Sequence, residues 1–410
     1  MPEHAVNNNA TQSPNLAVVV SILVLASSVS IMSTDMYAPS LPDLADEFQT
    51  TPTLVKLTIS LNMLAYGLAQ LIHGPLSDRF GRRPVMLSSL CLVVVGCAMC
   101  VLSQSIGQLI AARVFLGLVA AAEAVIGLAV IKDLFNEKQQ IKALALFGMV
   151  IAMVPAIAPI AGGYLHVALG WQSNFFVIGG MAIVAAVVVY AFLPESTVAD
   201  PLALKPTRVL RAYASLMKNA DFVAHTLILG VCLGLVFVFV TAAPFVFITY
   251  LGVPVQHFGY YQAGIVLSFF IGSLLASKLV DFYSGSSVLN AGMLIILLGS
   301  LLLVVLIASD GLSPGRLVAV YSVMTFGMGP LFAVAPSHAL RSIKSQSGSA
   351  SALLSGLEQS TAALSGVAVS VLHDGTAKPM AAVTVFLSVL LLVLGAWVKR
   401  LETARKAAGS

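Results

Sequence analysis

Residues 74–84 read GPLSDRFGRRP and join two long apolar stretches, 52–77 and 83–102. Gly81 suits a tight turn at this point, because glycine adopts backbone conformations that other residues disfavour. Asp78 can accept hydrogen bonds from the start of a neighbouring helix and can pair with the arginines beside it. The segment is therefore either a basic loop that only sets membrane topology or an ordered motif between two helices.

The whole chain has the composition of a membrane protein. Of its 410 residues, 59% are hydrophobic and only 9% are charged, whereas about a quarter of a typical soluble protein is charged. Apolar runs longer than about 18 residues recur along the chain. This pattern excludes a soluble fold and predicts many membrane-spanning helices.

Several function classes lack the sequence features that they require. The basic residues are scattered singly, so no nucleic-acid-binding patch is expected. The four cysteines have no metal-ligand spacing, and the sequence has no phosphate-binding loop, zinc-ligand cluster or nucleophile elbow. We therefore expect no enzyme activity, no metal and no cofactor.

Twelve apolar segments can each span a bilayer of about 30 Å at about 1.5 Å per residue. A polar linker at 196–219 divides them, which predicts an N-terminal bundle over 1–195, with a polar tail at 1–15, and a C-terminal bundle over 220–410 with a short basic tail. The linker has the helical spacing of an interfacial helix, although a solvated loop is the alternative. The predicted segments lie near 16–40, 52–77, 83–102, 107–131, 143–166, 172–193, 220–248, 260–281, 287–308, 316–339, 348–371 and 380–399.

The distribution of basic residues predicts the orientation of the chain. Seventeen of the 21 lysines and arginines lie in the even-numbered loops, the linker and the C-terminal tail. Only three lie in the odd-numbered loops, and Arg113 is left inside the fourth segment. Because basic loops remain in the cytoplasm, we expect both termini on the cytoplasmic side.

The order of residues in 74–84 resembles the loop signature of the major facilitator superfamily. The matching positions are Gly74, Asp78, Arg79, Gly81, Arg82 and Arg83. Residues 109–117 are similar to an Arg-x-x-x-Gly element of the same family, and the fifth apolar segment matches its antiporter signature in part, with Ala158 in place of a usual glycine. The positions that match this antiporter signature are Pro155, Pro159, Gly162 and Gly163.

Residues 35–42 and 335–341 are similar to one branch of this family, the drug:proton antiporters of the Bcr/CflA type, which include chloramphenicol and florfenicol exporters. The resemblance implies an all-α membrane protein with twelve transmembrane helices in two pseudo-symmetric six-helix bundles. It also implies multidrug efflux by alternating access, in which small lipophilic compounds leave in exchange for protons. We expect a monomer in the bacterial inner membrane, with lipid, substrate and protons as its partners.

Two ionisable residues are expected at similar depth in the membrane. Asp35 lies roughly 6 Å inward from Pro39, and Arg113 lies roughly 9 Å into the fourth segment. Charges at such depth are costly and need a partner or a function. One interpretation is a buried salt bridge that fixes packing. The other is a proton-coupling pair, and the family resemblance supports these two positions as coupling residues.

A second set of polar residues is predicted to line a substrate cavity, with simple packing as the alternative for each. Glu123 and Glu358 are carboxylates inside apolar segments, and Gln359 continues the polar run in the eleventh segment. Tyr66 and Gln70 share a helix face, with Asn62 one turn away. The full set of candidates is Tyr37, Asn62, Tyr66, Gln70, Glu123, Glu358 and Gln359.

Other functions remain open at this point. A mostly apolar cavity suits lipophilic molecules better than sugars, which need many hydrogen-bonding side chains. A dedicated exporter or importer of a metabolite, such as an amino acid, a siderophore or a sugar, is the main alternative. A membrane enzyme or sensor on the same scaffold would need a catalytic constellation or an added soluble domain, which the sequence does not provide.

Overall fold

The computed structural model describes residues 15–197, 199–341 and 347–408. Every regular element within these ranges is helical. A 3-10 turn at Ala38–Ser40 and a π-helical turn at Phe245–Tyr250 accompany the α-helices. The α-helices, numbered α1 to α14, are Leu16–Asp35, Leu41–Glu47, Pro52–Phe80, Arg82–Val101, Ile106–Leu134, Glu137–Leu169, Gln172–Phe192, Pro206–Met217, Ala220–Pro244, Val255–Leu279, Gly285–Ala308, Pro314–Arg341, Ser347–Val371 and Lys378–Ala408.

Local chemistry fixes where several helices begin. The side chains of Thr51, Ser105 and Asn136 accept hydrogen bonds from backbone N–H groups in the first turns of α3, α5 and α6. Such caps satisfy donors that the first turn of a helix leaves unpaired. Gly81, with a φ of 99°, separates α3 from α4 as the sequence predicts.

Eleven helical segments in the described ranges are long and apolar enough to cross a membrane. They coincide with eleven of the twelve predicted segments. The remaining predicted segment, 348–371, forms α13, which has 25 residues but is not among the eleven. Its serines and Glu358 make it more polar than the others, and it packs against α3 and α9. The prediction of an all-α, multi-pass membrane protein is confirmed.

The buried apolar side chains form two clusters. One is built almost wholly from α1 to α7, and the other from α8 to α14. We call α1–α7 the N-terminal group and α9–α14 the C-terminal group. Two helix pairs join the groups extensively, α3 with α13 and α6 with α10.

The ends of the helices define two faces of the molecule. The first, the basic face, carries residues 78–82, 195–197 and 199–218. The opposite face, which we call the far face, carries residues 36–51, 163–171 and 372–377. The long helices alternate in direction between these two faces, as short connections require.

The linker contains a short helix, α8, on the basic face. Leu216 is buried against the protein, and the hydroxyl of Tyr213 donates a hydrogen bond to the Leu71 carbonyl over 2.8 Å. Leu210 stays exposed on the other side of the helix. Burial, and to a smaller extent the Asp78 carboxylate, raises the pKa of Tyr213. The phenol therefore stays protonated and ties the linker to α3.

Candidate coupling and substrate site

Arg113 lies fully buried in α5. Its Nη1 donates a hydrogen bond to the Ser33 carbonyl over 2.5 Å. The rings of Tyr37 and Phe175 lie 4.9 and 5.8 Å from the guanidinium carbon. Its Nε and Nη2 have no hydrogen-bond partner among the described residues. The positive charge is thus held by a carbonyl and two aromatic faces rather than by a carboxylate.

Asp35 ends α1, and its side chain is almost buried, with 8% of the residue exposed. Within the described chain, no hydrogen bond or ion pair joins its carboxylate to another group. The predicted Asp35–Arg113 ion pair is therefore not formed in this structure. Instead, Nη1 of Arg113 donates to the Ser33 carbonyl, and the Tyr37 ring lies over the guanidinium. Asp35 is thus a nearly buried carboxylate without a partner among the described residues.

Two of the predicted cavity residues, Asn62 and Tyr37, instead make hydrogen bonds between neighbouring helices. Asn62 is 1% exposed, and its Nδ2 donates to the Arg113 carbonyl over 2.6 Å while its Oδ1 accepts from Thr34. Tyr37 is fully buried, with its hydroxyl 3.3 Å from that of Thr58. Because both side chains are enclosed, neither lines an open cavity in this structure.

Glu123 is also enclosed rather than exposed to a cavity. It is fully buried in α5, and its Oε1 accepts a hydrogen bond from the Ser89 hydroxyl over 2.9 Å. The hydroxyl of Ser27 donates to its backbone carbonyl. Tyr66, another cavity candidate, is buried as well. These contacts place Glu123 inside the packing of α1, α4 and α5.

The remaining cavity candidates gather where α3 meets α13. A Cβ on Gly67 would lie 2.8 Å from the Ser360 backbone nitrogen, so the two helices are very close here. Glu358 and Gln359 are half-buried, and Gln70 is buried. Oε1 of Gln70, Oε1 of Gln359 and Oγ of Ser360 are buried and have no hydrogen-bond partner among the described residues. Unpaired polar atoms of this kind at a helix interface are costly, which makes them candidates for binding a ligand.

The loop motif is an ordered structure on the basic face. Arg82 connects two carboxylates, with Nη2 2.6 Å from Oδ1 of Asp78 and Nε 3.1 Å from Oδ2 of Asp133. Its Nη1 donates to the Ser77 hydroxyl over 2.5 Å. The motif therefore joins α3, α4 and α5 at their ends, and Asp78 pairs with an arginine as the sequence predicts.

Glu195 is a part of this site that the sequence reasoning missed. Its carboxylate accepts hydrogen bonds from the backbone N–H groups of Arg82 and Arg83 over 2.9 and 3.1 Å. The start of α4 is therefore capped by Glu195 and not by Asp78, which corrects that expectation. A Cβ on Gly81 would lie 2.7 Å from Oε2 of Glu195, so glycine is needed both for its φ and for space.

The other motif residues have weaker roles. Arg79 donates from Nη1 to the Pro201 carbonyl over 2.5 Å, and Arg83 donates to the Tyr190 carbonyl. Gly74 does not bring two helices unusually close, because a Cβ there would meet its nearest neighbour at 3.7 Å. This is an ordinary contact distance, so an alanine at position 74 would fit without displacement.

The antiporter-like segment lies where α6 meets α10. Pro159 has no N–H, so the carbonyl of Pro155 lacks its helical partner. The side chain of Gln262 in α10 replaces the missing donor, and its Nε2 donates to the Pro155 carbonyl over 3.1 Å. The two prolines thus create an acceptor that the other group of helices uses.

Gly162 and Gly163 extend this contact toward the far face. A Cβ on Gly162 would overlap the backbone carbonyl of Met36, the residue that follows Asp35. A Cβ on Gly163 would lie 2.9 Å from the Val255 carbonyl in α10. Through these two glycines, the chain next to Asp35 packs against α6, and α6 packs against the C-terminal group.

An apolar cleft of about 510 Å³ lies between α1, α6 and α7. The seven predicted cavity residues are absent from its walls. Met32, one turn before Asp35, lies at one end of the cleft and Ala17 at the other. The cleft is lined by Ala17, Val20, Ser21, Val24, Leu25, Ser28, Met32, Leu146, Val150, Val154, Ile157, Ala158 and Met181.

The chain folds into two groups of membrane-spanning helices, which are joined along two helix pairs and enclose unpaired polar groups. This architecture is that of a multi-pass transporter rather than an enzyme. The chain belongs to the Major Facilitator Superfamily, whose family model matches residues 23–367. It is accordingly a secondary transporter that moves small molecules across a membrane.

Individual relatives are similar over nearly the whole chain. A bicyclomycin resistance protein homolog from Haemophilus influenzae is 28% identical over 374 residues, covering 90% of this chain and 93% of its own. A chloramphenicol resistance protein from Pseudomonas aeruginosa is 27% identical over 401 residues, covering 95% of this chain and 93% of its own. A multidrug transporter MdfA from Escherichia coli O6:H1 is 27% identical and covers 75% of each chain.

The fold is also that of a solved structure. A bacterial homolog of the human lysosomal transporter Spinster, in an inward-facing and unoccupied conformation, matches with a TM-score of 0.71 and 14% identity. The match covers 93% of this chain and 95% of that one. At this identity, the likeness supports the fold alone.

Proposed function

We propose that this transporter is a proton-coupled antiporter that exports small lipophilic compounds, with Asp35 as its proton-binding group. The observation that carries the proposal is the nearly buried Asp35 carboxylate, which has no cationic or hydrogen-bonding partner among the described residues. A carboxylate in this position gains from neutralisation by a proton, because a buried unpaired charge is costly. The names of the relatives, which refer to resistance against bicyclomycin and chloramphenicol, support drug-like substrates.

The proposed setting is the inner membrane of a bacterium, with both termini in the cytoplasm. The basic residues on the face of the 78–83 motif support this orientation, which puts the far face outside. The proposed units are a bundle over 1–195, a linker over 196–219 and a bundle over 220–410. The separation of the buried apolar residues into two clusters supports this division.

The proposed coupling runs from Asp35 to the contact between the two groups of helices. A proton on Asp35 changes the charge at the end of α1, where Met36 packs on Gly162. Gly163 packs on Val255 of the C-terminal group, so a small shift at Met36 acts directly on that contact. Because protonation favours whichever conformation tolerates the neutral carboxyl better, it shifts the balance between inward-facing and outward-facing states. Arg113, held at a fixed position, keeps the local potential positive and favours proton release in the other state.

The substrate contacts that we propose are those at the α3–α13 interface. Gln70, Gln359 and Ser360 offer buried polar atoms without partners, and Glu358 adds a half-buried carboxylate. Such groups, set among apolar helices, suit amphipathic molecules with one or two polar functions.

The experiment measures proton release from purified protein in weakly buffered detergent. Chloramphenicol, bicyclomycin and tetraphenylphosphonium are added in turn to the wild type and to Asp35→Asn. We expect at least one compound to release protons from the wild type and none to do so from the variant. Binding of each compound is measured in parallel by calorimetry in two buffers of different ionisation enthalpy.

Asp46→Asn is the matched control, because Asp46 is an exposed carboxylate in α2. It should release protons as the wild type does. If the wild type binds a compound without releasing protons, competition at Asp35 is ruled out. Uptake driven by an inward proton gradient would favour an importer of a metabolite instead.

A further inference from the structure

Lys56 and His373 meet on the far face, across the boundary between the two groups of helices. Lys56 lies in α3 and is 2% exposed, whereas His373 follows α13 in the segment that leads to α14. The Nζ of Lys56 lies 2.6 Å from Nδ1 of His373. An ammonium group can only donate, so Nδ1 must accept and carries no proton. The histidine is therefore neutral, with its proton on Nε2.

The surroundings of this contact hold the lysine in place. The Phe245 ring centroid lies 4.6 Å from the Lys56 Nζ and 5.8 Å from the His373 ring centroid. A small cavity of about 160 Å³ lies against the contact. No carboxylate within the described chain lies at ion-pair distance from Lys56. The cation is thus stabilised by one aromatic face and one neutral imidazole.

Few other titratable groups act on His373. Asp374 is its exposed neighbour in the same segment, and its carboxylate is held by Thr376. Among the residues that line the small cavity, Tyr250 is the only further titratable group beside Lys56 and His373. The charges that matter at physiological pH are therefore Lys56, Asp374 and His373 itself.

Protonation of His373 removes the contact and replaces it with repulsion. A proton on Nδ1 occupies the lone pair that Lys56 uses, and it leaves two cations within hydrogen-bond distance. Burial first, and the Lys56 charge second, lower the pKa of His373 below its ordinary value, while Asp374 offsets part of this effect. In a conformation where the far face is open to water, the pKa of the same histidine would return to its ordinary value of about 6.5.

We infer that Lys56 and His373 form a latch across the far face that opens when His373 takes up a proton from that side. The inference does not depend on the identity of the substrate, nor on Asp35 as the coupling group. With the far face outside, an acidic exterior would favour the outward-facing state directly.

The direction of the pH effect follows from proton linkage. The closed state binds the His373 proton less well than the open state does, so the closed state is favoured in full above about pH 6.5. As the pH falls below this value the open state gains, until His373 is protonated in both states. Each unit of difference between the two pKa values changes the closed-to-open ratio about tenfold.

The experiment measures distances across the far face by pulsed electron spin resonance in nanodiscs between pH 8 and pH 5. Spin labels are attached to Gly107→Cys, at the start of α5, and Gly315→Cys, at the start of α12. A Cβ at either glycine meets nothing within 4 Å, so both substitutions should fit. Cys91→Ala removes the exposed native thiol, while the other three cysteines are buried.

We expect the long-distance population to rise about threefold or more from pH 8 to pH 5 in the otherwise wild-type chain. His373→Gln keeps an acceptor for Lys56 and does not titrate. In this variant, the rise in the long-distance population should therefore be at most about a third of the wild-type rise. Lys56→Met keeps the apolar stem against Phe245, removes the cation and should also flatten the response. A wild-type response that persists in His373→Gln would overturn the latch, and so would a wild type without any response. Proton release on substrate binding, measured separately, tests the proposed function independently.

Discussion

Gln262 donates a hydrogen bond to the backbone carbonyl of Pro155 across the boundary between the two groups of helices, with 3.1 Å between Nε2 and the oxygen. The carbonyl is free because Pro159, four residues later, has no N–H to offer it. A proline in a helix usually costs stability, but here the lost helical bond is replaced by a bond to the other group. The two prolines therefore contribute directly to the contact between the groups.

Gln262→Leu should weaken closure of the far face. Leucine retains most of the volume but leaves the Pro155 carbonyl buried without a donor, which costs about 1–3 kcal/mol. We expect the closed-to-open ratio to fall at least about fivefold. The same pair of spin labels at positions 107 and 315 measures the change in nanodiscs at pH 8.

Tyr260→Phe is the comparison variant for Gln262→Leu. In the wild type, the hydroxyl of Tyr260 in α10 lies 3.2 Å from that of Tyr164 in α6, but both side chains are exposed. An exposed hydroxyl finds other partners when the bond is lost, so this variant should change the ratio less than Gln262→Leu does. A larger effect from Tyr260→Phe would contradict the importance that we assign to the Pro155 carbonyl.

Gly162→Ala should impair transport far more than Gly148→Ala, although both lie in α6. A Cβ at position 162 would overlap the Met36 carbonyl, whereas a Cβ at position 148 meets nothing within 4 Å. Overpacking of this kind typically costs about 1–3 kcal/mol, while alanine in an open helical position gains up to about 1 kcal/mol over glycine.

Melting temperature in detergent and substrate efflux from loaded cells measure these two effects. We expect Gly162→Ala to melt earlier and to retain less than about a tenth of wild-type efflux, since its clash lies next to Asp35. Gly148→Ala should melt at or above the wild-type temperature with normal efflux. Equal behaviour of the two variants would show that the contact at Met36 is unimportant.

Arg82→Lys should be disruptive, whereas Arg79→Lys should be nearly silent. Arg82 reaches Asp78, Asp133 and the Ser77 hydroxyl at once, which requires the planar guanidinium fork. A single ammonium group cannot keep all three contacts, and we expect a loss of about 1–3 kcal/mol in unfolding free energy.

Arg79 donates a hydrogen bond to the Pro201 carbonyl and lies over the Phe80 ring, and a lysine can make both contacts. Thermal unfolding of both variants in the same detergent separates these expectations. A drop in melting temperature for Arg79→Lys as large as that for Arg82→Lys would contradict a special role of Arg82.

The sequence was sufficient to predict the long apolar helices and the turn at Gly81, whereas α2 was not predicted and α8 was left open as a helix or a loop. Hydropathy along the chain determines where a helix can face lipid, and a glycine with positive φ is a local requirement. Partners distant in sequence were not accessible in this way. Glu195 lies more than a hundred residues after the N–H groups that it caps, and His373 lies 317 residues after Lys56. Only the packing of the helices brings such pairs together.

The orientation of polar side chains was equally inaccessible from the sequence. Asn62, Glu123 and Glu358 all occur in apolar segments, yet two of them are enclosed by neighbouring helices and one is half-buried. The Asp35–Arg113 pair has the right depth, but the Ser33 carbonyl holds the guanidinium elsewhere. Helical spacing gives the depth of a residue well, whereas its partner depends on side-chain rotamers and on neighbouring helices.

Glu358→Gln should change substrate preference, and Glu123→Gln should not. Glu358 is half-buried at the α3–α13 interface, where its charge can act on a bound molecule, while Glu123 is enclosed and bonded to Ser89. Loss of the Glu358 charge should lower efflux of tetraphenylphosphonium about tenfold relative to chloramphenicol, which corresponds to about 1.4 kcal/mol. Glutamine at position 123 can still accept the Ser89 hydrogen bond, so the ratio of the two rates should stay as in the wild type.

Efflux from everted vesicles, followed for both compounds in the same preparation, gives this ratio directly. An unchanged ratio in Glu358→Gln would remove Glu358 from the substrate site, whatever its effect on the absolute rates.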